Sequence, residues 1–204
     1  KPSVGAANGI ITQPVLDNNL TVQNEQAPAF SDIDGVSWAK PAIEALAKQG
    51  IISGVGDGKF APFQNITREQ FVKIAVGAFV PGAAMGENTF YDVADDSWYA
   101  PFVKKAYVKG IVKGMGDGSF GVGQNITRQD MCVMIYNAAK ASGMEFDNTA
   151  ESFADDSSIN DYAKEAVYAL KSKGAVSGMG DNSFNPYGNA TRAEAAKIIY
   201  SLIK

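Results

Sequence analysis

The sequence predicts an all-α fold made of three copies of one helix-loop-helix unit. Three near-identical tetrapeptides mark the copies, at residues 65–68, 125–128 and 189–192. Each tetrapeptide follows a glycine-rich loop and, further upstream, a Phe-x-Asp tripeptide. Self-similarity of this kind is typical of units that bury a hydrophobic core only together. Three copies of one surface also favour a binding module over an enzyme.

The composition argues against several function classes. A formal net charge of -4 gives no indication of a nucleic-acid or anionic membrane partner. The chain has no histidine, which is the commonest zinc ligand and the usual general base. The single cysteine, Cys132, lies in an apolar run and is expected to be a buried, inert thiol. No apolar run reaches the ~20 residues of a membrane span, so we expect no membrane insertion. We also expect no metal and no cofactor.

The chain divides into a leader and three repeats. Residues 1–29 have the composition of a linker or of the end of an upstream region, and an extended arm packed on the repeats is the alternative. The start at Lys1 without methionine suggests a mature or excised fragment. The repeats are predicted at 30–81, 90–142 and 153–204, together forming one structural domain.

The first helix of each repeat is predicted from an amphipathic pattern. It spans about 38–49, 98–109 and 162–173, with apolar residues spaced to cover one helix face. A glycine ends each helix, because glycine adopts the left-handed C-terminal conformation without steric cost. These glycines are Gly50, Gly110 and Gly174.

The glycine-rich loops are predicted to be tight turns that approach a ligand or a helix closely. They contain the pairs Gly54 and Gly56, Gly114 and Gly116, and Gly178 and Gly180. A calcium site is rejected here, because the positions after the loop aspartate supply almost no side-chain oxygen at EF-hand spacing. The phenylalanine that ends each loop is expected to return to the core; these residues are Phe60, Phe120 and Phe184.

The second helix of each repeat is predicted to begin at a Thr-Arg pair. The threonines are placed as N-caps, and the residue three positions later completes a capping box in the first and third copies. Asp130 makes a weaker version in the second copy. Helix chemistry therefore explains the threonine and the third residue, but not the arginine.

The arginines at the start of these helices are Arg68, Arg128 and Arg192. A cation at the positive end of a helix is unfavourable by ~0.3–1 kcal/mol, so its triplicate use suggests a function. A guanidinium beside free helix amides can bind carboxylate or phosphate. The alternative is a structural salt bridge to an aspartate of a neighbouring repeat; the candidates are Asp32, Asp92 and Asp155.

An aromatic residue lies at the start of each first helix. These residues are Trp38, Trp98 and Tyr162. They could be ordinary core residues, and beside a glycine loop and a cationic helix start they could equally stack on a sugar ring. Catalysis has little support, because no nucleophile or carboxylate pair stands out from the helix caps.

Together these motifs resemble the S-layer homology (SLH) domain family, in a full set of three repeats from Phe30 to Lys204. The combination of Phe-x-Asp, aromatic helix start, glycine loop and Thr-Arg is specific. The family pattern at the second helix is Thr-Arg-Ala-Glu, which residues 191–194 match fully. The first two copies vary after the arginine, at 69–70 and 129–130, but all three keep the arginine.

The resemblance implies a pseudo-threefold trimer folded from one chain, with a central helix bundle and grooves between repeats. It implies a non-catalytic anchor for S-layer or other exported proteins in the cell wall of Gram-positive bacteria. The implied ligand is secondary cell-wall polysaccharide, often ending in pyruvylated N-acetylmannosamine. The ketal carboxylate suits an arginine and helix amides, the sugar suits an aromatic wall, and several grooves would add avidity.

The candidate ligand-binding residues are therefore the arginines, the aspartates, the aromatic residues and the loop glycines named above. We expect the isolated module to be monomeric. Two other function classes stay open: a homotypic module that assembles a coat lattice, and an accessory module of a wall-acting enzyme whose active site lies in another domain.

Overall fold

The computed structural model of the chain describes residues 29–204. The predicted leader lies, up to residue 28, outside the described residues. Within 29–204 the fold is all-α, as predicted, and β-structure is limited to isolated bridges. The helices are α1 (Lys40–Lys48), α2 (Arg68–Phe79), α3 (Ala100–Val108), α4 (Arg128–Ala141), α5 (Asp161–Ser172) and α6 (Arg192–Ile203).

The first helices of the repeats begin where local chemistry allows. α1 and α3 start two residues later than predicted, with a proline in the first turn, where a missing amide costs least. α5 has no such proline and begins one residue earlier than predicted, after the N-cap Asn160. The predicted glycine stops are confirmed, with φ angles of 70°, 68° and 69° at Gly50, Gly110 and Gly174.

The second helices begin at the three arginines, as predicted. Each has an extended threonine at its N-cap. In α6 the Glu194 carboxylate accepts from the Thr191 amide at 2.8 Å, and Thr191 Oγ1 accepts from the Glu194 amide at 3.3 Å. In α4 the Thr127 hydroxyl accepts from the Asp130 amide. The capping box at Thr191 and the weaker cap at Thr127 are thus confirmed. At Thr67 only half of the predicted box forms: Gln70 Oε1 accepts from the Thr67 amide at 3.4 Å, while the buried Thr67 hydroxyl has no hydrogen-bond partner among the described residues.

A closed ring of backbone hydrogen bonds joins the repeats just before α2, α4 and α6. The amide of Ile66 donates to the carbonyl of Ala190, Ala190 donates to Ile126, and Ile126 donates to Ile66. All three bonds measure 3.0 Å, and all three residues are fully buried. The ring gives the three repeats a cyclic arrangement and aligns the three arginines around one axis.

The helices of different repeats pack against one another around this ring. α2, α4 and α6 pack against one another as a central bundle. Each outer helix packs against the central helix of the preceding repeat: α3 on α2, α5 on α4, and α1 on α6. Most of the buried hydrophobic residues of the described chain form one cluster drawn from all three repeats. The core is therefore shared, as repeat units of this size require.

Several core predictions are confirmed. Phe60, Phe120 and Phe184 are 0–1% exposed. Cys132 is fully buried, and burial raises the pKa of its thiol to about 12, which makes it unreactive at neutral pH.

In the described part of the chain, no helix is both long enough and apolar enough to cross a bilayer.

Candidate functional site

Three surface grooves lie around the ring, and each contains one of the arginines. We name them after that residue. The Arg192 groove has a volume of about 440 Å³, the Arg128 groove about 210 Å³, and the Arg68 groove about 390 Å³. The three arginines are 5–7% exposed, so each guanidinium is a wall group of a groove and not a free surface charge.

Each groove is assembled from all three repeats. In the Arg192 groove the arginine comes from the third repeat, Gly54 and Lys73 come from the first, and Trp98 comes from the second. The same permutation gives the other two grooves. This follows from the ring, which sets the arginine of one repeat against the glycine loop of the next.

The guanidinium groups are held by the neighbouring loop. Nε of Arg68 donates to the Phe120 carbonyl at 2.9 Å, and the same bond joins Arg128 to Phe184 and Arg192 to Phe60. Each guanidinium also lies over the ring of that phenylalanine, 4.6–5.3 Å from its centroid. The Nε edge of each arginine is thus structural. One terminal nitrogen of each also has a protein partner: Arg192 Nη2 donates to the Ser53 carbonyl at 2.8 Å, and those of Arg68 and Arg128 reach carboxylates.

The carboxylate partners of the arginines differ from the expected ones. The alternative hypothesis of a structural salt bridge to a neighbouring repeat is confirmed for Arg68 and Arg128, but its candidate partners Asp32, Asp92 and Asp155 are wrong. Instead Arg68 Nη1 lies 3.3 Å from Asp130, and Arg128 Nη1 lies 2.6 Å from Glu194. Both partners are the third residue of the next central helix, which sequence analysis had assigned only to capping. Among the described residues Arg192 has no carboxylate partner.

Burial and charge act in opposite directions on these groups. Burial lowers the pKa of Arg68, and Asp130 is the first of several groups that oppose this effect. Burial also lowers the pKa of Arg192, where Asp32 alone opposes it from a distance. Both groups stay charged at neutral pH.

The aspartates of the Phe-x-Asp tripeptides support the loops. Asp32 Oδ1 and Oδ2 accept from the amides of Phe60 and Ala61, both at 2.8 Å. Asp92 and Asp155 make the equivalent bonds to their own loops. None of the three lines a groove. Because loop amides already occupy both carboxylate oxygens, we infer that these aspartates position the loops, and their predicted contact with ligand stays a prediction.

The loop glycines divide into two groups. Gly54, Gly114 and Gly178 line the grooves. A Cβ at Gly54 would lie 2.5 Å from the Lys59 carbonyl and 2.8 Å from the Phe30 ring, so only glycine fits there. The second set does not line the grooves and forms the turns behind them; it consists of Gly56, Gly116 and Gly180.

The aromatic residues lie at the groove rims. Trp38, Trp98 and Tyr162 are 47%, 53% and 59% exposed, so the core interpretation is wrong. Each lies in a groove with an arginine from another repeat. An exposed ring beside a guanidinium can cover the apolar face of a sugar while the cation binds its acidic substituent.

Sequence analysis missed the lysines of the grooves. Lys73 Nζ lies 5.8 Å from the Trp98 ring, and Lys197 Nζ lies 5.3 Å from the Trp38 ring. The signal was present, since each lysine follows the helix-starting arginine by five residues. Valine occupies that position in the second copy, at Val133. The described residues contain no cluster of three or more His, Cys, Asp or Glu side chains suited to a metal ion.

The chain matches the S-layer homology domain model three times, at residues 29–72, 89–132 and 152–196. It therefore belongs to the S-layer homology domain family, and all three predicted repeats are confirmed. The matched ranges include the glycine loop and the Thr-Arg helix start of each copy.

Similar proteins include enzymes and surface-layer proteins. The chain is 34% identical over 98% of its length to an amylopullulanase of Thermoanaerobacterium thermosulfurigenes, of which it covers 11%. It is 35% identical over 88% of its length to the exoglucanase XynX of Acetivibrio thermocellus, covering 17% of it. It is 27% identical over 86% of its length to the surface-layer 125 kDa protein of Lysinibacillus sphaericus, covering 15%.

The chain thus spans less than a fifth of the length of these relatives. The segment they share with it is an anchoring module, which accompanies a much larger remainder in each relative. Family and relatives together identify the chain as a cell-surface anchoring module of the exported, cell-wall or S-layer type.

Proposed function

We propose that this chain is a non-catalytic anchor that binds pyruvylated secondary cell-wall polysaccharide in its inter-repeat grooves. The observation that carries the proposal is the pairing of a buried guanidinium with an exposed aromatic ring in one groove. In the Arg192 groove these are Arg192, which is 7% exposed, and Trp98, which is 53% exposed. A sugar with a ketal carboxylate has both complementary surfaces.

The electrostatics support an acidic ligand. The chain carries a net charge of -4, so a polyanion is repelled at long range and attracted only inside the grooves. A guanidinium held from behind through Nε loses little freedom when its terminal nitrogens bind a carboxylate. Rigid placement of this kind favours a carboxylate at a fixed position on a sugar over a flexible phosphate chain.

The test compares one polymer in two chemical forms. Secondary cell-wall polysaccharide is titrated into the 204-residue chain by calorimetry before and after acid removal of its pyruvate. We expect removal to weaken binding at least about ten-fold, since a charge-assisted bidentate contact is worth about 1.5–3 kcal/mol. Equal affinity for both forms would contradict the proposal and leave aromatic stacking as the mode of binding.

A module that assembles a lattice would behave differently in solution from an anchor. If the repeats bound one another, the chain would associate in solution without any glycan. Sedimentation of the chain over a wide concentration range separates the two functions: an anchor stays monomeric and binds polysaccharide, whereas an assembly module oligomerises. We expect the monomer.

A further inference from the structure

The three grooves differ in charge although the repeats are alike. The Arg192 groove is lined by two cations, Arg192 and Lys73, and by no carboxylate. The Arg128 groove has two cations and the carboxylate of Glu194. The Arg68 groove has two cations and two carboxylates, those of Asp130 and Glu165. Their local charges therefore differ while their shapes follow one plan.

The difference at each arginine comes from one position. The third residue of the next central helix faces the guanidinium, and it is Asp130 for Arg68 and Glu194 for Arg128. The cyclic equivalent facing Arg192 is Gln70, which lines the same groove. A glutamine caps α2 as a glutamate would, but it leaves the guanidinium without a counter-charge.

A buried, uncompensated guanidinium is unfavourable on its own. Arg192 is more than nine-tenths buried, and its two hydrogen bonds go to neutral carbonyls, those of Phe60 and Ser53, both at 2.8 Å. No ion pair reaches it from the described residues. A ligand carboxylate would provide the missing charge, and its attraction would be strong because water is partly excluded.

The rim of the Arg192 groove adds a second cation. Lys73 lies over the Trp98 ring and lines the same groove as Arg192. In the Arg68 groove the equivalent position is Val133, and the aromatic residue is Tyr162, whose hydroxyl donates to Asp130 at 2.7 Å. Asp130 therefore binds both the arginine and the aromatic residue of that groove. An internal carboxylate thus pairs with the arginine of the Arg68 groove, where the Arg192 groove has none.

We propose that the Arg192 groove is the principal carboxylate-binding site of the chain and that the Arg68 groove binds no acidic sugar. The Arg128 groove, with Glu194 on its arginine and Lys197 on its rim, is a weaker site. This inference rests on the proposed function and deepens it: one acidic sugar terminus binds strongly per chain, between Arg192, Lys73 and the ring of Trp98.

The first measurement is stoichiometry. The probe is the methyl glycoside of 4,6-O-pyruvyl-N-acetylmannosamine, titrated calorimetrically into the 204-residue chain, with the unpyruvylated glycoside as reference. We expect one strong site per chain. Three equal sites would overturn the inference while leaving the proposed function intact. No binding of the pyruvylated probe by the parent chain would overturn the proposed function itself.

The deciding variant is Gln70→Glu. It places a carboxylate in the groove of Arg192, as Glu194 is placed opposite Arg128, and it keeps a side-chain acceptor for the Thr67 amide, as Glu194 does for Thr191. We expect affinity for the probe to fall roughly ten-fold or more. The matched control is Gln124→Glu, which makes the same charge change at an exposed residue that lines none of the grooves. Its affinity should change less than about two-fold.

A second variant, Lys73→Gln, keeps the inference testable if Gln70→Glu does not fold. Lys73→Gln removes the rim charge from a half-buried side chain and should weaken probe binding roughly three- to ten-fold. Circular dichroism melts of all variants show whether they fold. Parental affinity in folded Gln70→Glu or Lys73→Gln overturns the inference, whereas losses in these two and not in Gln124→Glu support it.

Discussion

Nε of Arg192 donates a 2.8 Å hydrogen bond to the carbonyl of Phe60, and this bond joins the last repeat to the first. The guanidinium carbon also lies 4.6 Å from the centroid of the Phe60 ring. The same side chain that lines the largest groove therefore closes the ring of repeats. Ligand binding and fold closure share one residue, so a variant at this position affects both.

We first predict that Arg192→Ala destabilises the fold as well as weakening binding. It removes hydrogen bonds from a charged donor to the carbonyls of Phe60 and Ser53. The free energy of unfolding should fall by about 1.5–3 kcal/mol, and Arg192→Lys should recover part of it, because lysine keeps the charge without the planar fork. Urea denaturation measures both. Lys109→Ala, at an exposed lysine, is the control and should stay within about 0.5 kcal/mol of the parent.

The second prediction concerns pH and Asp92. Burial raises the pKa of Asp92, but hydrogen bonds from the amides of Phe120, Val122 and Gly121 outweigh it, so the pKa lies below the ordinary 3.8. A carboxylate with a lowered folded pKa contributes stability above pH 3.8, and this contribution is lost as the pH falls through the folded pKa.

The variant Asp92→Asn should therefore be less stable than the parent at pH 7, by about 1–3 kcal/mol, because an NH2 group replaces one of the two oxygens that accept from loop amides. The difference should shrink as the pH falls below 3.8 and through the lowered folded pKa, where the parent carboxyl becomes neutral as well. Denaturation curves at pH 7, 4 and 2.5 measure it. Asp96→Asn, at an exposed aspartate, should show little deficit at any pH. A deficit in Asp92→Asn that stays constant with pH would contradict the prediction.

Our third prediction is that removing the last repeat disables the whole module. Deletion of residues 152–204 takes away α6, the packing partner of α1, and exposes Ile43 and Leu46, which are now fully buried. The remaining chain should melt at a lower temperature or aggregate, and it should bind no polysaccharide. A cooperative melt at the parental temperature would show that the repeats are independent.

The fourth prediction uses the two tryptophans of the chain as separate reporters. Trp98 lies in the Arg192 groove and Trp38 in the Arg128 groove. In Trp38→Phe the pyruvylated glycoside should change the fluorescence of the remaining Trp98, because the sugar covers an exposed ring. In Trp98→Phe the change should be small at the same concentration. A response from Trp38 alone would assign the strong site to the other groove.

The sequence predicted the local structure of each repeat better than the make-up of the grooves. Thr191 and Glu194 are three residues apart, and their capping contacts follow from helix geometry. The glycine stop at Gly50 has the same local origin. The all-α class and the repeat count followed from these short-range signals, and the cyclic arrangement and central bundle came from the family resemblance.

The groove partners depend on contacts between distant parts of the chain. Arg192, Lys73 and Trp98 come from three repeats and meet only because the ring closes. Local sequence spacing predicted the arginine and the aromatic residue as candidates, but it could not show which arginine and which aromatic residue share a groove. It also could not show that Asp130 faces Arg68 across repeats, since capping already explained that residue.

Three copies of one unit usually suggest redundancy, in which one copy can lose function while the others keep it. The repeats are not redundant here, because each groove is built from all three. Because each groove takes its arginine, its loop and its aromatic ring from three different repeats, a lesion that unfolds any one repeat removes a wall from every groove. Damage that unfolds one repeat would therefore impair all three grooves at once, and not one after another.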